Sequence, residues 1–321
     1  LIIIFSNKSF NYKLTNLTYS GENNFNSETI IKENLLKIFI IYSLLSILIL
    51  TSLSFSGVRL YNSLNMTMTL VSNGGFLPTN NLSQIVTTNL QKLSIIFSLL
   101  ISMLNFYLLF NLFNKNALIR EHKEDFYLTV SCIIFCILIY FNNYEGLNII
   151  ISVVSSLANS GLTLMEKDNN LSLYFLLITI VGGSLISNSS GIKLTRFYIL
   201  LKITSLEIIK LISPNSIINK TIFNSEKKIS DDNIKISFLI FISFFLSLFI
   251  LSTLLVIDNI GFEKSFKLAI LTLTNTVNSE TYNLQNLNFG NLLTSSKISI
   301  LIFMIIGKIE LISIFLIIKN F

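Results

Sequence analysis

Three short polar tips, each following a short apolar segment, hold the residues of this chain best suited to chemistry. They occupy residues 72–76 (S-N-G-G-F), 158–162 (A-N-S-G-L) and 275–279 (N-T-V-N-S). They are rich in Asn, Ser, Thr and Gly, and the nearest acidic residues, Glu166 and Glu280, come just beyond them. Backbone carbonyls from convergent loops of this kind can replace the hydration shell of K⁺ without introducing a fixed charge.

Glycines in the tips favour this interpretation. Gly75 and Gly161 allow a positive φ, which lets successive carbonyls point in one direction. In the third tip we expect Asn278 to occupy the glycine position, since asparagine tolerates the left-handed region better than most residues. An ordinary Gly/Asn turn between helices is the alternative explanation of any single tip. The recurrence of the tip at the same place in three units favours an ion filter.

The elements that position the tips form a unit that occurs three times. Each unit is a long apolar segment, a short one, the polar tip and a second long apolar segment. The long segments are 36–56, 93–113, 126–141, 171–203, 236–257 and 298–318. The short ones, such as 58–71 and 146–157, fall below the roughly 20 residues that a membrane-spanning helix needs. Backbone that leaves a helix at membrane depth is tolerated only where it is buried in protein or lines a wet cavity. The sequence therefore predicts an all-α polytopic membrane protein, with membrane helix, pore helix, filter loop and membrane helix repeated around a central pore.

The composition is that of a protein whose solvent is lipid. Hydrophobic residues make up 52% of the 321 residues, charged residues 12%, and the mean hydropathy is +0.70. A soluble domain has about 25% charged residues. The formal net charge is +6, and the basic residues concentrate in loops on the side opposite the tips, at 115–123 and 193–235. Because a Lys/Arg excess marks the cytoplasmic side, the tips are predicted to face the outside or periplasm.

Residues for covalent or metal chemistry are scarce. The one histidine, His122, lies in a charged loop, and Cys132 and Cys136 are predicted to be small core residues rather than a redox pair. We identify no H-E-x-x-H motif, no paired intramembrane carboxylates and no nucleotide-binding loop. The sequence therefore predicts that the protein is not an enzyme and has no covalently bound cofactor.

Several stretches, taken in order, resemble one family. Residues 72–76 resemble a filter of the form T-G-G-F-S, and residues 103–106 (M-L-N-F) resemble the N-F pair of the following helix. Residues 182–196 resemble the intramembrane loop G-G-x-x-G-S-T-A-G-G-I-K-x-x-R. Residues 214–215 resemble a P-N pair, and residues 304–310 (M-I-I-G-K-I-E) resemble the last-helix motif M-x-x-G-R-L-E. From about Gly21 to its end, the chain resembles the TrkH/KtrB subunits of the Trk/Ktr/HKT potassium transporter superfamily.

The resemblance implies translocation of K⁺ through a filter of backbone carbonyls, gated by the intramembrane loop. K⁺ would be the transported ion, bound at the filter. The implied filter residues are Asn73, Gly74, Gly75, Asn159, Ser160, Gly161, Thr276, Val277 and Asn278, and the implied gate residues are Gly182, Gly183, Ser190, Gly191 and Lys308. The resemblance also implies a homodimer, a peripheral cytoplasmic nucleotide-binding subunit of the TrkA/KtrA type, and a multi-pass location in the cell inner membrane.

The chain departs from the family pattern at several places. Asn278 and Ser279 replace a filter Gly and the usual Pro, Ile186 and Ser190 replace loop glycines, and Lys308 replaces Arg. A lysine at mid-helix costs about 2.5–3.5 kcal/mol on insertion scales and is expected to face a cavity or a partner; a snorkelling lysine is the alternative. The departures leave a second interpretation open, in which the chain is a degenerate non-conducting homologue or a structural membrane subunit.

The resemblance also predicts the order of units along the chain. Residues 36–113, 114–203 and 234–321 would be the second, third and fourth pore repeats, and 204–233 a cytoplasmic linker. Residues 1–35 would be an N-terminal remnant and a cytoplasmic segment, because the chain opens with Leu1 rather than Met. We therefore expect a first repeat to be encoded upstream.

Overall fold

The structure is a computed structural model of the chain, and its described part is helical. It describes residues 28–79, 81–106, 108–109, 123–140, 146–164, 172–185, 187–213, 221–223, 229–276, 290 and 292–309. The helices are α1 (Glu28–Phe55), α2 (Leu60–Ser72), α3 (Asn89–Met103), α4 (Lys123–Tyr140), α5 (Gly146–Ala158), α6 (Ser172–Val181), α7 (Leu194–Ile212), α8 (Asp231–Ile257), α9 (Phe262–Leu273) and α10 (Thr294–Ile309), with a short 3-10 helix at Leu82–Gln84. The predicted all-α polytopic fold is confirmed.

Local signals in the sequence set where helices begin and turn. A capping box starts α3, in which Thr88 accepts from the Gln91 backbone and the Gln91 side chain accepts from the Thr88 backbone. The step from a long helix to a short one uses a left-handed residue in two repeats: Gly57 (φ 87°) follows α1, and Asn259 (φ 64°) follows α8. The same short turn therefore folds the chain back into the membrane in both.

Each short helix packs in the same way. Helix α2 contacts α1 and α3, α5 contacts α4 and α6, and α9 contacts α8 and α10, the long helices of its own repeat. In addition, α5 contacts α3 and α9 contacts α6, the second long helix of the preceding repeat. The short helices therefore follow one another around a common centre, with fully buried residues such as Leu70, Val154 and Leu271.

The outer surface is apolar, as lipid requires. Large hydrophobic side chains such as Phe39, Leu138 and Phe249 lie exposed on the long helices, and large exposed apolar patches are typical of surfaces that contact a membrane or another protein. Among the described helices, α8 alone is both long and apolar enough to cross a bilayer, and shorter apolar helices run over Phe39–Phe55, Asn89–Met103 and Gly146–Ala158.

The structure divides the apolar segment 171–203 within the stretch that resembles an intramembrane loop. Helix α6 ends at Val181 and α7 begins at Leu194, with the glycine-rich loop between them. Helix α7 then continues to Ile212, so it runs past the boundary predicted at residue 203 into the predicted linker. The last turns of α7 contain the exposed residues Ile208, Ile209, Leu211 and Ile212. Apolar residues therefore continue past residue 203, and the change in composition along the chain did not mark where the helix ends.

Candidate functional site

The three short helices end in one and the same turn. Asn73 (φ 51°), Asn159 (φ 58°) and Asn275 (φ 57°) adopt the left-handed conformation. In each case the next residue donates its backbone N–H to the carbonyl five residues earlier: Gly74 to Thr69 at 3.0 Å, Ser160 to Ser155 at 3.0 Å, and Thr276 to Leu271 at 2.8 Å. This is the Schellman pattern of a helix C-terminus. An asparagine thus closes each pore helix at an equivalent position.

Successive tips lie in backbone contact. Gly75 and Gly161, each two residues after its asparagine, have φ of 74° and 71°. A Cβ on Gly75 would lie 2.5 Å from the carbonyl oxygen of Ser160, and one on Gly161 would lie 3.4 Å from the carbonyl oxygen of Thr276. The first tip therefore meets the second, and the second meets the third, with no room for a side chain at Gly75.

The backbone corrects the alignment predicted for the third tip. Because α9 ends at Leu273, the left-handed turn falls at Asn275, and Thr276 is the equivalent of Gly74 and Ser160. Counted on from Asn275, the position of Gly75 and Gly161 falls on Val277, one residue before the predicted Asn278. Val277 and Asn278 themselves lie outside the described residues.

The loop between α6 and α7 is closed on itself by backbone bonds. Ile192 donates to the carbonyl of Ile180 at 3.0 Å, and Leu194 donates to that of Gly183 at 3.1 Å. Gly182 (φ 70°) and Gly191 (φ 85°) are left-handed. A Cβ on Gly182 would collide with the Ser190 carbonyl, and one on Gly191 would lie 2.9 Å from two carbonyl oxygens of α6. The two glycines therefore let the ends of the loop close against each other and against α6.

This loop lies against all three tips. The Asn188 amide donates to the carbonyl of Val71, beside the first tip, at 2.5 Å. A Cβ on Gly191 would lie 3.3 Å from the amide nitrogen of Asn159 in the second tip. The Asn275 amide of the third tip donates to the Ser190 hydroxyl at 3.3 Å. The predicted gate residues Gly182, Gly183, Ser190 and Gly191 and the described filter residues thus form one contiguous group.

Lys308 joins the loop to the first tip. Its ammonium group, on α10, donates to the carbonyl of Ser72 at 2.8 Å and to that of Asn188 at 2.6 Å. The residue nonetheless keeps accessible surface and is not enclosed in the packed core. A lysine that snorkels to the membrane surface would not bond to two other repeats, so the snorkelling alternative does not describe Lys308.

Lys193 is a second lysine in the loop, and its contacts were not predicted. It is left-handed (φ 77°) and only 4% exposed. Its ammonium donates to the carbonyls of Ser187, at 3.2 Å, and Ser189, and to the Ser189 hydroxyl at 3.1 Å. Lys193 is the lysine of the I-K-x-x-R part of the loop motif, so the sequence did contain a signal for its role. The side chain holds the turn of the loop closed from inside.

Two neighbouring carboxylates, half-buried Glu124 and buried Asp125, accept backbone hydrogen bonds near the loop, and they were not predicted as a pair. Glu124 and Asp125 lie in the first turn of α4. Glu124 accepts from the backbone N–H of Leu185 at 2.8 Å, and Asp125 accepts from that of Asn105, in the break after α3, at 2.9 Å. Their place at the start of an apolar segment was visible, but acidic residues favour the first turn of any helix, so burial could not be inferred.

Comparisons with known proteins agree with this geometry. No protein-family model matches the chain. An uncharacterized cation transporter of Methanocaldococcus jannaschii is 26% identical over 191 residues, which cover 56% of this chain and 37% of that protein. The chain thus spans little more than a third of that relative's length. The crystal structure of the potassium transporter TrkH from Vibrio parahaemolyticus is 17% identical, with a TM-score of 0.78, and the match covers 98% of this chain and 68% of that one. The chain therefore has the polytopic, all-α membrane fold of TrkH.

Proposed function

We propose that this chain is part of a potassium-translocating pore subunit whose filter is built from backbone carbonyls of the tips. The main support for this proposal is the backbone contact between successive tips, Gly75 with Ser160 and Gly161 with Thr276. Carbonyl dipoles brought this close around one centre can stand in for water around a dehydrated cation. The likeness to a potassium transporter and to a cation transporter supports the same function.

In this proposal K⁺ is the cargo and binds at the filter residues. Asn73, Gly74, Gly75, Asn159, Ser160, Gly161 and Thr276 come from the described part of the chain, and Val277 and Asn278 complete the set. The described tips offer only uncharged oxygens and nitrogens, so a bound cation is held weakly enough to leave again.

The loop of residues 182–193 would be the gate. It lies against all three tips, and Lys308 bonds both to the loop and to Ser72, the first residue of the first tip. An ammonium group at this place is an electrostatic barrier to a cation, and a change in the loop would take away one of its two carbonyl partners. Passage would then depend on where the loop holds Lys308.

The assembly around the pore is also a proposal. We expect a multi-pass protein of the cell inner membrane that forms a homodimer and binds a peripheral nucleotide-binding subunit of the TrkA/KtrA type. The basic segment after α7 would lie on the cytoplasmic side, where that subunit would bind.

A degenerate, non-conducting homologue is the second candidate, and one observation favours it. Counted from Asn275, the position that Gly75 and Gly161 occupy in the first two tips holds a valine in the third, and β-branched residues are poorly suited to a positive φ. If the third tip needs the geometry of the first two, the filter conducts poorly.

Rubidium uptake distinguishes the two candidates. Cells that lack potassium uptake would be given the complete gene that encodes this chain, and ⁸⁶Rb⁺ entry compared with empty vector at equal membrane expression. The proposal expects uptake that saturates and that K⁺ competes away. Absence of uptake, with the protein shown in the membrane, would contradict it and support the non-conducting candidate.

A further inference from the structure

Asn73, Asn159 and Asn275 have a role that the filter itself does not explain. Their backbones are equivalent, so their side chains leave the three pore helices at the same depth, just before the filter residues. All three are poorly accessible: Asn73 and Asn159 are fully buried, and the Asn275 amide is bonded on two sides. Glycine would serve the left-handed turn equally well, so the amide groups need a separate explanation.

The side chains of Asn73 and Asn275 reach the second long helix of their own repeat. The oxygen of Asn73 accepts from the Ser102 hydroxyl of α3 at 3.0 Å. The amide of Asn275 donates to the Met304 carbonyl of α10 at 3.2 Å. These bonds tie the base of a tip to the wall of the pore, which fixes the direction of the carbonyls that follow.

One of the three asparagines is also bonded to the loop. The Asn275 amide donates to the Ser190 hydroxyl at 3.3 Å, one residue before Gly191. Asn159 lies beside Gly191, yet neither atom of its amide has a hydrogen-bond partner in the part of the chain that the structure describes. Among the three asparagines, the direct side-chain bond to the loop in the described part of the chain is therefore made by Asn275.

We propose that Asn275 is a positioning residue that couples the third tip to the loop through Ser190, so that displacement of the loop changes the ion preference of the filter. This inference rests on the proposed function. Its physical basis is that one amide has two acceptors, Met304 on a rigid helix and Ser190 on the loop. When the loop moves, the amide keeps the first and loses the second, and the tip is held at one point instead of two.

The variants that test this inference follow from the backbone. Asn275→Gly keeps the left-handed turn and removes the amide, whereas Ser190→Ala keeps the amide and removes its acceptor in the loop. Asn259→Gly is the matched control, because it makes the same exchange at a left-handed asparagine (φ 64°) in the turn after α8, outside the tips and the loop. Each would be made in the complete protein, singly and as the Asn275→Gly/Ser190→Ala pair.

The readout is the ratio of ⁸⁶Rb⁺ to ²²Na⁺ uptake at equal membrane expression, which a loss of folded protein alone does not move. We expect each single variant to lower the ratio several-fold, the pair to lower it no further, and Asn259→Gly to leave it unchanged. Such non-additivity is the mark of two groups acting through one contact. If the effects of the two single variants multiply in the double variant, or if neither single variant changes the uptake ratio, the inference is overturned. Uptake by the wild type would in that case leave the proposed function standing. A wild type without uptake overturns the proposed function first.

Discussion

The backbone of Gly75 lies directly against the carbonyl of Ser160, so that a Cβ on Gly75 would come within 2.5 Å of the Ser160 oxygen. The first filter tip is therefore packed on the second with nothing between them. This single approach relates residues 85 positions apart in the chain.

Gly75→Ala should abolish cation uptake. The added methyl group meets the Ser160 carbonyl, and a left-handed alanine costs a further 1–2 kcal/mol, roughly. We expect ⁸⁶Rb⁺ uptake to fall at least about tenfold, the factor that a barrier increase of about 1.4 kcal/mol produces. Gly57→Ala is the control: it has a positive φ of 87° but open space around its Cβ. Equal loss in both variants would mean that backbone strain, and not contact between tips, is responsible.

Lys308→Met should increase cation uptake. The substitution keeps the length of the side chain and removes an ammonium group that lies between the Ser72 and Asn188 carbonyls. If that charge is a barrier of about 1.4 kcal/mol, its loss raises the uptake rate about tenfold. Lys297→Met, near the start of the same helix, removes a lysine whose ammonium bonds to Gly290 instead, and it should leave uptake unchanged. A fall in uptake with Lys308→Met would show that the charge supports the open pore rather than blocking it.

Glu124→Ala should destabilise the protein. Its carboxylate accepts from the Leu185 N–H at the start of the loop, and a buried donor left without a partner costs about 1–3 kcal/mol. Glu207→Ala is the matched control, because Glu207 forms an exposed pair with Lys210 of a kind worth about 0–1 kcal/mol. The measurement is the temperature at which detergent-solubilised protein leaves the monodisperse peak on size exclusion. Similar losses in both variants would contradict a supporting role for Glu124.

Asp258→Asn should lower stability at neutral pH and have little effect in acid. In the turn after α8, the hydroxyls of Ser296 and Ser295 donate to Asp258 and hold the pKa of its carboxyl below the usual range. A depressed pKa means that the stabilisation is present above the ordinary value, about 4 for Asp, and is lost as the pH falls through the lowered value. Wild type and variant should therefore converge in thermal stability below about pH 4. A constant difference across the acid range would refute this.

The fold was largely predictable because its signals are local and repeated. Apolar segments too short to cross the membrane, followed by Asn and Gly, marked α2 and α5 and their tips without any knowledge of long-range contacts. Glycines at 182 and 191 marked the loop for the same reason, since few other residues adopt their conformation. Patterns of this kind depend on neighbours along the chain, which a sequence shows directly.

What the sequence could not show depends on contacts between distant segments. Glu124 and Asp125 look like ordinary acidic residues at a helix start, and only the structure brings them to Leu185 and Asn105. The one-residue difference between the two alignments of the third tip has a similar origin. Matching residue types placed Asn278 at a glycine position, whereas the end of α9 and the Thr276 to Leu271 bond decide where the turn falls.

The corrected alignment gives the last prediction, which concerns Val277 and Asn278. If the third tip uses the geometry of the first two, Val277→Gly introduces the residue that φ near 70° requires, and ⁸⁶Rb⁺ uptake should rise. Asn278→Gly, one position later, should change uptake little. The pair is its own control, since both variants add one glycine to the same tip and differ only in position. A rise with Asn278→Gly and none with Val277→Gly would restore the alignment based on residue type, in which Asn278 occupies the glycine position of the third tip.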